Sequence, residues 1–252
     1  MARKFAIITG ASTGIGAELA KLAAAEGYDL LLAADTPFTD VPAGAQTIEL
    51  DLSTTDAVDR LVEAAAGRQV DLLCANAGRG LGHAFLDQPV DEWRHVVETN
   101  ITGTVYLLQR VLKEMAARND GKVLVTGSIA GFMPGTYQAV YNGSKAFVDS
   151  FVDAIRAELS DRDGITITTL MPGPTDTEFF RRAGMDDTNV GTSEKDDPAA
   201  VAKTGWDALM SGRGDVVHGL KNKLQAAAAH VLPEKVTAEM HRRMAEPGSG
   251  SD

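Results

Sequence analysis

The sequence has few of the features that mark secreted or membrane-spanning proteins. It contains one cysteine, Cys74, which excludes an internal disulfide framework and a multi-cysteine metal cluster. Its longest wholly apolar runs are about five residues, such as 30–34, whereas roughly 18 are needed to span a bilayer. Four apolar residues, 5–8, follow Arg3 and Lys4, and a signal-peptide core needs roughly 7–15. We therefore expect a cytoplasmic chain with no membrane span.

Positive charge is also scarce. The 252 residues include 24 Lys and Arg against 35 Asp and Glu, a formal net charge of −11. Non-specific binding to nucleic acid needs a general positive field, so no nucleic-acid partner is expected. The sequence also predicts no metal site, because none of the H-x-H or H-E-x-x-H spacings of metal ligands occurs among the histidines at 83, 95, 218, 230 and 241.

Short apolar runs alternate with helical patterns along the chain. Apolar residues recurring at three and four positions predict helices at 15–26, 55–66, 89–117, 138–160 and 197–211. Seven other runs, several of them apolar on both faces, predict strands at 5–8, 29–34, 46–50, 70–75, 122–126, 165–171 and 215–218. The fold class is therefore α/β, a single Rossmann-type doubly wound parallel sheet of about seven strands with helices on both faces. Ligands of such sheets bind at the carboxyl ends of the strands.

No linker or repeat divides the interior, so residues 1–245 are expected to form a single domain. Within it we predict a substrate loop over 174–197 and two C-terminal helices over 219–245, broken near Pro233. The Gly- and Ser-rich segment 246–252 is expected to be a disordered tail. Only eleven residues, with two prolines, lie between Asp35 and Thr47, which predicts a loop instead of a crossover helix.

A glycine-rich segment, 9–16, follows the first predicted strand and opens the first predicted helix. Glycines there allow a sharp turn and a close approach to a pyrophosphate, which the helix N-terminus then faces. The same residues fit the G-x-S-x-G elbow of α/β-hydrolases, with Ser12 as nucleophile. That elbow needs earlier strands beside it, and only nine residues precede Gly10, so a phosphate-binding loop is favoured.

Tyr141 and Lys145 are spaced to lie on one face of a predicted helix, and Ser128 follows the strand predicted to end at Thr126. A cation within about 4–6 Å lowers the pKa of an acid by roughly 1–3 units, so Lys145 would make the phenol a better base. The phenol could then exchange a proton with an alcohol or carbonyl oxygen that Ser128 hydrogen-bonds. The alternative is a surface pair on the helix and a serine that caps the strand end.

In motif content and order the chain resembles the short-chain dehydrogenase/reductase family over about residues 4–218. The matching motifs are TGASTGIG at 9–16, Asp35 after the second strand, Asp51-Leu52, Ala-Asn-Ala-Gly at 75–78, Asn100, Ser128, Tyr141-x-x-x-Lys145 and Pro-Gly-Pro-Thr-Asp-Thr at 172–177. The chain departs from the family at Cys74, where asparagine is usual, and at Gly143, where alanine is usual.

The resemblance implies hydride transfer between a nicotinamide cofactor and an alcohol/carbonyl pair. The catalytic residues would be Tyr141 as general acid/base, Lys145, which also holds the nicotinamide ribose, Ser128, which orients the substrate oxygen, and Asn100, which supports a water of the proton relay. The cofactor would contact Gly10, Ser12, Thr13, Gly14, Ile15 and Gly16 in the glycine loop, Asp51 and Leu52 at adenine, Asn76, Ala77 and Gly78 at the adenine ribose, Tyr141 and Lys145, and Pro172, Gly173, Thr175 and Thr177 at the carboxamide. A homotetramer or homodimer formed through the helices matching 99–117 and 138–160 would be usual.

Asp35 favours NAD over NADP. Its carboxylate would accept hydrogen bonds from the ribose hydroxyls and repel a 2′-phosphate. Positions 13 and 36 are threonines, whereas an Arg or Lys at either position would bind that phosphate. The alternative is that Asp35 merely begins a turn with Thr36 and Pro37.

The predicted substrate-binding residues are mostly apolar, and they favour a hydrophobic or aryl ketone or secondary alcohol as the small-molecule substrate: Phe132, Met133, Tyr137, Phe179 and Phe180. The two last residues could equally pack a lid helix against the body. The competing functional hypothesis is a non-catalytic protein of the same fold that binds or senses NAD(H) without turnover.

Overall fold

A computed structural model describes residues 3–250 and contains one seven-stranded parallel sheet in that range. Its strands, in chain order, are β1 (Phe5–Thr9), β2 (Asp29–Ala34), β3 (Gln46–Glu49), β4 (Leu72–Ala75), β5 (Gly121–Thr126), β6 (Ile165–Met171) and β7 (Asp215–Val217). They lie side by side in the order β3-β2-β1-β4-β5-β6-β7. The predicted doubly wound α/β class is confirmed, and every strand lies within a few residues of its expected position.

Helices cover both faces of this sheet. They are α1 (Gly14–Ala25), α2 (Thr55–Ala64), α3 (Val90–Val97), α4 (Thr104–Arg118), α5 (Ala139–Glu158), α6 (Phe179–Arg182), α7 (Asn189–Thr192), α8 (Pro198–Met210), α9 (Leu220–Val231) and α10 (Glu234–Ala245). None of those in the described part of the chain is long and apolar enough to cross a membrane.

Alternate residues of the central strands enter two different cores. In β1, Ile7 packs with Leu61 of α2 and Leu107 of α4, whereas the next residue, Ile8, packs with Leu19 of α1 and Trp206 of α8. Side chains of a strand point to opposite faces in turn, so a strand covered on both sides is mostly apolar. This is why the strand runs lack the alternation of half-exposed sheets.

The single helix predicted over 89–117 is divided into three parts in the structure. Two α-helices, α3 and α4, are joined there by a π-helical turn over Glu98–Gly103. Gly103 lies against the loop that follows β3, and a Cβ at this position would be 2.0 Å from the carbonyl oxygen of Leu52. Apolar periodicity predicts the helical axis but carries no signal for the extra residue that a π-turn inserts.

The connection from β2 to β3 contains no helix, as its prolines predicted. Without a covering helix, β3 at the sheet edge is largely exposed, and Ile48 is its one half-buried residue. The loop keeps the carboxyl end of β2 accessible, which places Asp35 at the rim of the cleft.

The segment after β6 folds over the sheet end instead of extending into solvent. Thr175 and Asp196 form a parallel bridge that closes the 174–197 segment at its base, and α6 and α7 lie within it. Residues 248–250, from the segment predicted as a tail, hydrogen-bond to the 174–197 segment. The amides of Gly248 and Gly250 donate to the side chain and carbonyl of Asp187, and Ser249 Oγ accepts from the Asn189 amide. Residues 251–252 lie outside the described residues.

Candidate active site

A cavity of about 640 Å³ lies along the carboxyl ends of the strands. Its volume falls in the range of small-molecule and cofactor sites. The residues predicted from the sequence that line it are Gly10, Ser12, Thr13, Gly14, Ile15, Asp35, Asp51, Leu52, Asn76, Ala77, Gly78, Ser128, Met133, Tyr141, Lys145, Pro172, Gly173, Thr175, Thr177, Phe179 and Phe180. One fold feature, the end of a parallel sheet, therefore brings together residues that are spread over most of the chain.

The glycine loop has the backbone conformation that its composition predicts. Gly10 and Gly14 adopt φ values of +63° and +58°, in the left-handed region where a side chain is strained. Gly16 does not line the cavity, because it packs behind the loop, where a Cβ would lie 2.1 Å from the carbonyl oxygen of Gly10. Helix α1 starts at this loop with no side-chain cap and no acidic residue in its first turn. Its free N–H groups and dipole face the cavity and suit an anion such as a pyrophosphate.

Asn76 ties the ends of three strands together beneath this loop. Its side-chain amide donates to the carbonyl oxygens of Thr9 and Gly10 at 3.1 and 3.3 Å, and its Oδ1 accepts from Thr126 Oγ1 at 2.9 Å. Its backbone N–H donates to Thr9 Oγ1 at 3.0 Å. Asn76 therefore fixes the floor of the predicted cofactor site through hydrogen bonds within the protein.

Tyr141 and Ser128 lie together at the inner end of the cavity. Tyr141, on α5, is only 9% exposed, and burial raises the pKa of its phenol to about 12, while a hydrogen bond with Ser128 opposes that rise. Ser128 Oγ also accepts from the Ala130 amide at 3.1 Å and so caps a short 3-10 helix, Ile129–Phe132. The serine thus combines the capping role with a position beside the phenol.

Lys145 is buried, and its ammonium contacts the backbone of β5. Its Nζ donates to the Thr126 carbonyl at 2.8 Å. Burial lowers the pKa of this amine, and attraction to the buried Asp149 carboxylate opposes that change. The expected lowering of the Tyr141 pKa by Lys145 is not found in this arrangement. Burial is the largest effect on the phenol pKa, and the effect that opposes it is the hydrogen bond with Ser128.

Asn100 sits in the π-turn behind the cavity and is 2% exposed. Its Oδ1 accepts from the Arg79 amide, and its Nδ2 donates to the Arg79 carbonyl and to Ser144 Oγ, each at 2.9 Å. These contacts hold the loop after β4 against α5. Asn100 is therefore close to α5, although it does not line the cavity.

Of the five residues predicted to bind substrate, only Met133, Phe179 and Phe180 line the cavity. Phe132 packs against His230 of α9, with ring centroids 4.9 Å apart, and does not line the cavity. Tyr137 also points elsewhere, and its hydroxyl donates to Glu246 at 3.2 Å. Phe179 does enter the site, with its ring 5.0 Å from that of Tyr141. Packing against the C-terminal helices decides which aromatic residues face the cavity, and local sequence carries no record of it.

Several residues of this site were not predicted from the sequence. The C-terminal helices contribute Gln225, His241 and Met244 to the cavity wall. His241 donates through Nδ1 to the Thr136 carbonyl at 2.9 Å, and burial lowers its pKa. Asp149 is a further residue that sequence reasoning missed. Its position four residues after Lys145, on the buried face of α5, was the available sign. Within residues 3–250, no group of three or more His, Cys, Asp or Glu side chains could hold a metal ion.

Comparisons with known proteins agree with this geometry. The sequence model of the short chain dehydrogenase family matches residues 4–188. An uncharacterised oxidoreductase of Staphylococcus saprophyticus is 31% identical over 219 residues, which cover 82% of this chain and 91% of that protein. The chain belongs to the short-chain dehydrogenase/reductase family, whose members are oxidoreductases that bind nicotinamide cofactors.

Solved structures share the fold at lower identity. A short-chain dehydrogenase/reductase of Burkholderia phymatum in complex with NAD is 21% identical, covers 97% of both chains and has a TM-score of 0.80. A short-chain dehydrogenase of Sphingobium yanoikuyae in complex with NADPH is 24% identical, covers 90% of this chain and 94% of that chain, and has a TM-score of 0.77. The same fold thus holds either cofactor.

Proposed function

We propose that this chain transfers a hydride between a nicotinamide cofactor and a secondary alcohol or ketone, with Tyr141 as general acid and base. The observation that carries the proposal is a buried phenol that shares the inner end of the cavity with Ser128 and Phe179. Because burial raises its pKa to about 12, the phenol keeps its proton at neutral pH and can donate it to a carbonyl oxygen.

The residues present fit a dinucleotide. Gly10 and Gly14 form a cradle that a Cβ would fill, since that atom would lie 2.9 Å from the Ala77 Cα or 2.7 Å from the Thr177 methyl group. The open N-terminus of α1 would hold the pyrophosphate, and Lys145 would hold the nicotinamide ribose. When bound, the cofactor supplies or accepts the hydride.

The protein's own groups would then act on the substrate oxygen. Ser128 would donate a hydrogen bond to this oxygen as negative charge develops, and Tyr141 would transfer the proton. Asn100 would position the site from behind, because it joins the Arg79 backbone to Ser144, the residue that precedes Lys145. The role of Asn100 in supporting a relay water belongs to the same proposal.

The preferred cofactor is proposed to be NAD. Asp35 lies on the cavity wall at the end of β2, where a carboxylate accepts hydrogen bonds from ribose hydroxyls and repels a phosphate. We expect a lower KM for NADH than for NADPH in steady-state assays with one ketone. The reverse preference would contradict this part of the proposal.

The proposed substrate is an apolar or aryl ketone. Aromatic and aliphatic side chains surround the space in front of Tyr141, namely Met133, Phe179, Phe180, Val190 and Met244. Gln138 and Gln225 add polar groups to the same wall. Such walls favour burial of a hydrocarbon group while one oxygen meets the catalytic pair.

Tyr141→Phe tests the mechanism. This change removes the hydroxyl and keeps the ring that packs on Phe179, so NADH should still bind. Turnover across a panel of ketones should fall by about 10²–10⁴-fold. Full activity in the variant would refute the mechanism, and NADH binding by the wild-type protein without turnover of any ketone would favour the sensor hypothesis.

A homodimer or homotetramer formed through α4 and α5 is also proposed. Phe147 is 43% exposed on α5 and stacks on Phe151, with ring centroids 5.7 Å apart. This apolar pair on the helix surface would be buried by a second copy. Light scattering coupled to size-exclusion chromatography should give a mass of two or four chains, and a monomer would contradict the proposal.

A further inference from the structure

Helix α6 contacts both ends of the cleft, and this inference, which rests on the proposed function, starts from that position. Phe179, its first residue, lies against the Tyr141 ring and is seated on Gly80, where a Cβ would be 2.4 Å from the phenylalanine Cζ. Arg182, its last residue, reaches the opposite side. Its Nη1 is 3.4 Å from Asp35 Oδ1, and its Nη2 donates to Thr36 Oγ1 at 3.2 Å.

The Arg182 guanidinium therefore lies at the corner where the adenosine ribose would bind. Ser12 of the glycine loop belongs to the same corner, since its Oγ is 2.9 Å from Thr36 Oγ1. Asp35, Thr36, Ser12 and Arg182 all line the cavity. One cation and two hydroxyls thus face the position at which Asp35 would meet the ribose hydroxyls.

The chemistry of this corner suits a phosphate better than Asp35 alone suggests. The Asp35 and Arg182 side chains are 46% and 40% exposed, so their ion pair is solvated and weak. Arginine has five donors in a planar fork that matches a phosphate, and only two of its nitrogens are engaged here. A 2′-phosphate could take over these donors with little loss, whereas without Arg182 it would meet an uncompensated carboxylate.

We propose that Arg182 is the residue that binds the 2′-phosphate of NADP(H), so that the segment over the substrate supplies the cation that the glycine loop and β2 lack. The preference for NAD set by Asp35 is then incomplete, and NADP(H) is a second cofactor of the enzyme. Discrimination between the cofactors then depends on Arg182 as well as on Asp35.

Arg181 provides a matched control. It is the preceding residue of the same helix and also lines the cavity, but its guanidinium pairs with Glu178 and makes no described contact with Asp35 or Thr36. Substituting either arginine removes one positive charge from α6, and only one of the two substitutions removes the contact with the ribose corner.

The test measures binding without turnover. Dissociation constants of NADH, NADPH and adenosine 2′-monophosphate would be determined by calorimetry for the wild type, Arg182→Ala and Arg181→Ala. Arg182→Ala should raise the dissociation constants of NADPH and adenosine 2′-monophosphate by about tenfold or more. A loss of this size is typical when a hydrogen bond to a charged group is removed. The dissociation constant of NADH should change by no more than about twofold, because NADH carries no 2′-phosphate for Arg182 to bind. Arg181→Ala should change none of the three by more than that.

Two further variants sharpen the result. Arg182→Lys keeps the charge without the fork and should lie between the wild type and Arg182→Ala for NADPH. Asp35→Asn should tighten NADPH binding when Arg182 is present and less so in the double variant with Arg182→Ala. If Arg182→Ala weakens the binding of NADH and of NADPH equally, the proposal is overturned. It is also overturned if the wild-type protein binds NADH but neither NADPH nor adenosine 2′-monophosphate. A wild-type protein that binds no NADH would instead contradict the proposed function itself.

Discussion

Asp149 illustrates what burial does to a single residue. It is 6% exposed and lies one helical turn after Lys145, packed so closely on Gly127 and Gly131 that a Cβ on either would lie within 2.6 Å of its carboxylate. Neither carboxylate oxygen has a well-formed hydrogen bond among the described residues. Burial raises the pKa of this group and attraction to Lys145 opposes the rise, so the two charges of the pair depend on each other.

Asp149→Asn tests this dependence through stability. In the folded protein the pKa of Asp149 is raised from 3.8 to about 7, so the folded state holds a proton that the unfolded chain releases. The stability from this group is full below pH 3.8 and is lost as pH rises toward 7. Asp149→Asn removes that loss and leaves Lys145 without its counter-charge. The unfolding free energy of the variant minus that of the wild type should therefore rise by about 1–3 kcal/mol from pH 5 to pH 8.

Urea unfolding at several pH values measures the effect. Asp207→Asn is the control, because Asp207 lies on α8 away from Asp149, is largely exposed and pairs with Lys203. Its stability relative to the wild type should not vary over this range. A flat difference between Asp149→Asn and the wild type would show that the buried carboxylate keeps an ordinary pKa.

At the scale of elements, the same residue type has opposite effects in two helices. Gly16 in α1 faces the glycine loop, where a Cβ would be 2.1 Å from the Gly10 carbonyl oxygen and 2.6 Å from Asn76 Nδ2. Gly143 lies in the interior of α5, between Tyr141 and Lys145, and a Cβ there would have no neighbour within 4 Å. Helix propensity governs the second position, and close packing governs the first.

Alanine substitutions separate these two causes. Gly16→Ala should lower the unfolding free energy by about 1–3 kcal/mol through overpacking and weaken NADH binding. Gly143→Ala should raise the unfolding free energy by about 0.5–1 kcal/mol, since alanine is the better helix former and the site is open. Chemical denaturation of both variants beside the wild type checks the two signs, and a stabilised Gly16→Ala would contradict the packing argument.

For the whole molecule, the C-terminal segment completes the cover of the cavity. Met244 and His241 of α10 line it, and the tail beyond α10 holds the 184–192 region through Asp187 and Asn189. Asn189 also donates to the Arg243 carbonyl at 2.8 Å, so α10 and the tail act on the same loop. Chain segments some 60 residues apart thus form one wall of the site.

Removing residues 246–252 should loosen that wall. Backbone amides of 184–192 should exchange with deuterium faster, because the hydrogen bonds of Gly248, Ser249 and Gly250 are lost. Mass-spectrometric hydrogen exchange would compare this truncation with one that removes only 251–252. Unchanged protection of 184–192 in the longer truncation would contradict the role of the tail.

Sequence periodicity and spacing were sufficient for the sheet, the glycine loop and most of the helices, but not for the π-turn between α3 and α4 or for the short helices α6 and α7. The two-sided apolar runs identified the strands, because a strand buried on both faces is mostly apolar and lacks the alternation of a half-exposed strand. The left-handed conformations of Gly10 and Gly14 follow from residue type, and the place of Ser128, Tyr141 and Lys145 follows from the carboxyl ends of strands meeting at one edge. These features are local, or they follow from topology alone.

Tertiary structure alone decided which side chains meet across the cleft. Arg182 reaches Asp35 over a separation of 147 residues, Asp149 is shielded from water beside Lys145, and Phe132 and Tyr137 turn away from the cavity to pack on the C-terminal segment. Periodicity reports the face on which a residue lies, but not the path of a distant segment that packs on that face. The pairing of Arg182 with Asp35 and the pKa values of Tyr141, Lys145 and Asp149 are therefore properties of the folded chain, because both depend on distances and burial that only folding creates.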